Sequence, residues 1–90
     1  MSDEYDGDDV TEEALNKFLP EVRDELYYEL ISWPEPETRE HLLSVLVEEV
    51  GEVARAVNDK NGKAYHDELI QVAAVALSML WKYDEEAKKE

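Results

Sequence analysis

Glu48-Glu49-Val50-Gly51-Glu52 and, fifteen residues further on, Asp67-Glu68-Leu69-Ile70-Gln71 place two small carboxylate clusters on what the spacing predicts to be consecutive helices. Acidic residues are common in this chain, 24 Asp and Glu against 9 Lys and Arg, so their number decides little and their position decides much. Several interrupt apolar stripes. An ionised carboxylate on a packing face needs a partner, and a hard divalent cation with oxygen ligands is the usual one. On a helical wheel Glu49 lies beside the apolar seam of the second helix, bracketed by Leu42, Val45, Val53 and Ala56, with Glu52 next to it and Glu48 further round near Arg55. On the third helix Glu68 falls among Val72, Val75 and Met79, with Gln71 about 60° away near Ser78 and Lys82, and Asp67 on its far side. Two helices packed roughly 8–10 Å apart can converge such groups on one ion. Magnesium, or manganese in its place, suits that donor set; it would offset phosphate charge and orient or activate a water. The competing reading is a solvated face on a very acidic protein.

Other residues are weaker candidates. Trp33 is either a hydrophobe at the end of a bundle or a platform on which a base stacks. Arg55, Lys60, Lys63 and Lys82 lie near the acidic clusters or in the adjoining turn and could meet phosphates, against surface ion pairs with acidic neighbours. His66 reads as a residue near a helix start, Tyr27 and Tyr28 as partly buried residues of the first helix. Gly51, in mid-helix at a cost of about 1 kcal/mol relative to alanine, reads as a point of close helix approach.

The elements that would position these groups are all helical. Residues 1–9 are acidic and aperiodic and read as a disordered arm, with Asp9 and Glu12 a candidate capping box. Val10, Ala14, Leu15, Phe18, Leu19, Val22, Leu26 and Leu30 predict a first helix over 10–31, which kinks or restarts at Pro20. Pro34 and Pro36 make a connector. A second helix follows over 37–58, with Leu43, Leu46, Val50, Val53 and Val57 as its seam, then a turn, then a third helix over 64–83. The domain spans 10–84, and 85–90 is a charged tail. The third helix is apolar nearly all round, from Leu69 to Trp81, so two other helices of this size cannot surround it. An all-α bundle completed by homo-oligomerisation is the expected architecture.

Ninety residues is one domain at most. There is no cysteine, hence no disulfide and no thiolate metal site. The acidic N-terminus has no signal-peptide pattern, and no apolar run is long enough to span a bilayer; the expected compartment is cytoplasmic, with no membrane partner. A formal charge of −15 argues against binding a nucleic-acid polymer, though a small phosphorylated ligand bridged by metal remains compatible. The same acid-rich balance occurs in proteins adapted to high salt.

Leu46-Val47-Glu48-Glu49-Val50-Gly51-Glu52-Val53-Ala54-Arg55-Ala56 closely resembles the EExxE helix of MazG-like nucleotide pyrophosphohydrolases. His66-Asp67-Glu68-Leu69-Ile70-Gln71-Val72-Ala73-Ala74-Val75-Ala76 resembles the second acidic helix of the small members, and Trp33 fits their connector. The resemblance covers about residues 15–83. It implies an all-α fold assembling into dimers or tetramers. The implied activity is magnesium-dependent cleavage of the α–β phosphoanhydride of nucleoside triphosphates, giving a monophosphate and pyrophosphate. Glu48, Glu49 and Glu52 match the EExxE glutamates and Glu68 the first acid of the usual ExxD motif. Gln71 departs from the pattern, since a neutral amide offers one carbonyl oxygen and no charge where aspartate is commonest.

The expectation is therefore a nucleotide-pool pyrophosphohydrolase. Its metal ligands are Glu49, Glu52 and Glu68, with Gln71 a doubtful fourth. Glu48 and Glu49 are its catalytic residues, Glu48 as a further ligand or the base that orients water. Trp33, Arg55, Lys63 and Lys82 would face the substrate. The rival is a non-catalytic helical oligomer that binds a nucleotide or a protein partner. The related phosphoribosyl-ATP pyrophosphatases fit less well, because the Gln71-Val72-Ala73-Ala74 run does not look like their second acidic motif.

Overall fold

A computed structural model describes residues 7–32 and 38–89. Three helices follow in order, α1 (Gly7–Ser32), α2 (Arg39–Asn58) and α3 (Gly62–Lys88), with no strand among the described residues. α3 packs against both others, whereas no Cα of α1 comes within 8 Å of one in α2. The core is small: Val22, Leu42, Ala56, Ala74 and Val75 are buried, and Ala74 and Val75 are 0% exposed where α3 meets its neighbours. The radius of gyration, 15.8 Å, exceeds the roughly 12 Å of a compact chain of this length. No helix is long and apolar enough to cross a membrane.

α1 is one continuous helix with Pro20 inside it. Proline removes the donor to the Asn16 carbonyl. That stretch is exposed throughout, so water can take the donor's place. The helix begins at Gly7 rather than at Asp9, and the Thr11 hydroxyl donates to the Gly7 carbonyl at 2.7 Å. Asp9 thus lies inside the first turn instead of capping it. The expected arm otherwise falls on residues 1–6, outside those described.

The caps fix the other boundaries. Thr38 is the N-cap of α2, its hydroxyl accepting from the His41 amide at 3.0 Å. The link to α3 is three residues, Asp59 to Asn61. Lys60 there takes φ 55°, its amide donates to the Val57 carbonyl and that of Asn61 to the Ala56 carbonyl. This is a Schellman motif with lysine at the left-handed position glycine usually fills. Asn61 then caps α3, accepting from the Ala64 amide at 3.0 Å. α3 runs on past residue 83 through what reads as a charged tail. There Lys88 pairs with Asp84 and Glu85, and Arg39 of α2 bonds Glu86 at 3.2 Å, so opposite charges one turn apart extend the helix.

The inward stripe of α2 differs from the expected seam. Leu42, Val45, Leu46, Glu49, Val53 and Ala56 are buried or half-buried, while Leu43, Val50 and Val57 point outward. Tyr27 and Tyr28 are exposed rather than partly buried. A Cβ on Gly51 would meet nothing within 4 Å, so no described element makes the close approach expected there.

Candidate functional site

The inward stripe of α2 has one charged residue near its centre, Glu49, and the inward face of α3 carries Glu68 one turn before Val72 and two before Val75. Their carboxyls lie within reach of a shared proton. A third carboxylate comes from α1. Glu29, one heptad after the buried Val22, is only 9% exposed. Among the described residues the buried side-chain oxygens without a hydrogen-bond partner are Oε2 of Glu29, of Glu49 and of Glu68. Each helix contributes one.

Their electrostatics follow from burial and mutual repulsion. Desolvation pushes the Glu49 carboxyl up to about 7, helped by the hydrogen bond to Glu68 and by the charges of Glu68, Glu48 and Glu29. Glu29 is raised to about 7, first by desolvation and then by Glu25, one turn earlier on α1. Both groups hold protons at a pH where exposed glutamates would have lost them, because burial and neighbouring acids disfavour the ionised form.

The other acidic residues are arranged around this centre. Glu48 is exposed beside Glu49. Glu52 is half-buried and turned toward Arg55, at 3.8 Å. Gln71 lines a cleft between α1 and α3 shared with Glu21, Glu25, Tyr28, His66 and Asp67. His66 contacts Glu21 there at 3.0 Å and ties α1 to α3. No three Asp, Glu or His side chains among the described residues stand close enough together, as placed, to enclose a metal ion.

The basic candidates are spread out. Arg55 is exposed beside Glu52, and Lys63 donates to Asp67 at 2.9 Å. Exposed pairs of this kind contribute about 0–1 kcal/mol, so an incoming phosphate could displace either partner. Lys82 lines a different cavity, with Arg39, Leu42, Met79 and Tyr83, about 21 Å along α3 from Glu68 by helical rise. Trp33 lies outside the described residues.

Sequence reasoning missed Glu29. Its signal was available: Val22, Leu26 and position 29 step by four and three along the buried side of α1, and the last step holds a glutamate. The three orphaned oxygens are hard donors and fit a divalent cation by chemistry. Compared with known proteins, the chain matches no family model, no curated protein and no solved structure.

Proposed function

We propose that this chain is a magnesium-dependent nucleoside triphosphate pyrophosphohydrolase of the MazG-like kind, working as a homodimer or homotetramer. The observation that carries the reading is the meeting of Glu49 and Glu68, each with an unsatisfied oxygen. They come from the two helices whose sequences resemble the family's acidic motifs. Glu49 and Glu68 would hold the cation, with Glu52 reaching it by leaving Arg55. The cation would supply positive charge against the triphosphate and the developing negative charge on the phosphoryl oxygens. Glu48, exposed beside the pair, is placed to orient a water and take its proton as the water oxygen bonds to phosphorus and the α–β bridging bond breaks. Arg55 and Lys63, at the turn end of the helical hairpin, would meet the phosphates. Gln71, in the lining of the α1–α3 cleft, could add one neutral carbonyl oxygen and no charge.

The test is pyrophosphate release from a panel of canonical and modified ribo- and deoxyribonucleoside triphosphates, with and without Mg²⁺, at low and high salt. Metal-dependent formation of monophosphate and pyrophosphate is the expected result. No turnover across the panel by folded protein would favour the second reading, a non-catalytic oligomer that binds nucleotide or protein. The neutral Gln71 favours that reading.

The oligomer rests on the outer face of α2. Leu43, Val47, Val50, Ala54 and Val57 step by four, three, four and three along it, and all are exposed, Val47 at 62%. That is a helix-pairing seam with no partner among the described residues. Gly51 lies beside it, so the close approach it permits would be to a second copy. Val47→Lys is expected to shift the protein toward monomer in sedimentation or light scattering. An unchanged mass would remove α2 as the shared surface.

A further inference from the structure

Glu29 lies outside both acidic motifs, and its placement has no explanation in the packing of α1. It is the one buried charged side chain among the described residues, in a helix whose residues 10–20 are exposed throughout. Burying a carboxylate without a partner is costly, and Oε2 of Glu29 has no hydrogen-bond partner. Its charge is felt by Glu49 on α2, although the α1 and α2 backbones do not meet. Glu29, Glu49 and Glu68 are thus one acid from each helix, each with a buried oxygen left without a partner, and the first is near enough to the second for its charge to act on it.

We propose that Glu29 is a third oxygen donor to the cation held by Glu49 and Glu68, so that the ion joins α1 to the α2–α3 pair. This rests on the cation site proposed above and adds a ligand from a helix that site did not involve. The three carboxylates do not enclose an ion as placed. Each is a glutamate with three side-chain torsions, and convergence would come from rotamer changes. An ion at the centre would satisfy all three orphaned oxygens and reverse the repulsion among their charges. Without it, α1 is held to α3 by the half-exposed His66–Glu21 contact, the tilted Phe18–His66 ring pair at 6.1 Å and little buried apolar surface.

The test is direct cation binding and α1 protection, neither of which depends on turnover. Mn²⁺ affinity would be measured by calorimetry or by the paramagnetic signal of the free ion, for the unaltered chain and for Glu29→Gln, Glu49→Gln and Glu25→Gln. Glu29→Gln is expected to weaken Mn²⁺ binding by at least about tenfold, the lower range for disturbed metal sites. Glu25→Gln, which removes a neighbouring charge and no donor, should leave it nearly unchanged. Amide exchange in the C-terminal half of α1 should slow when Mn²⁺ is added to the unaltered chain and not in Glu29→Gln. If Glu49→Gln abolishes binding while Glu29→Gln keeps full affinity, Glu29 is a buried neutral acid and this inference falls alone. If none of the three substitutions changes Mn²⁺ binding, the cation site itself is elsewhere and both readings fall.

Discussion

Glu49→Gln is expected to lower metal-dependent pyrophosphate release by about 10²–10³-fold or more, the loss seen when a principal electrostatic contact of a reaction is removed. The same substitution should leave the protein folded, because a glutamine amide at that position can donate to Glu68 where the protonated carboxyl did. Above neutral pH, and without divalent cation, the variant should melt at a higher temperature than the parent, since it removes a charge that burial and three acidic neighbours disfavour. Activity loss with raised stability separates a functional carboxylate from a structural one. Full turnover by Glu49→Gln would mean that the reacting phosphates are held elsewhere. A variant that loses both activity and fold would make Glu49 a packing residue.

Cation-free protein should lose thermal stability as pH rises from about 5 to about 8. Glu29 and Glu49 have folded-state values near 7, against a reference value of 4.5. Between those values the folded state holds more protons than the unfolded one. Their contribution is therefore fully present below about 4.5 and lost as pH passes about 7. Self-repulsion at a net charge of −15 acts in the same direction, so the slope alone does not isolate the pair. Glu29→Gln and Glu49→Gln do isolate it, since each should flatten the dependence. Millimolar Mg²⁺ at the alkaline end should restore the lost stability by binding the ionised folded state. A melting curve independent of pH in the parent, or equally steep in both variants, would show that these carboxyls titrate normally.

Three helices were legible in the sequence because apolar residues recur at helical spacing and the connectors contain Pro34, Pro36 and the Asn58–Gly62 turn. What the pattern did not specify is which side of α2 faces α3. That helix carries two apolar stripes, Leu42, Leu46 and Val53 on one side and Leu43, Val47, Val50 and Val57 on the other. Periodicity has the same form whether the partner is the next helix or another copy. The end of α3 was missed because its last turns have no apolar stripe and are held by charge pairs that composition reads as a solvated tail. Glu49 and Glu68 were legible as carboxylates among packing residues. Glu29 was not, since its meaning depends on α1 lying across α3 from α2, which is a matter of topology.

That arrangement also governs how the chain must be made. α1 is synthesised first, and among the described residues its one packing partner is α3, which emerges last; the contact between Glu21 and His66 spans 45 residues of sequence. α2 offers α1 no resting place meanwhile. On a ribosome the first helix must therefore wait on the order of seconds with Val22 and Leu26 uncovered. The acidic residues between them, repelling their counterparts on neighbouring nascent chains, act as a solubilising escort until the last helix arrives.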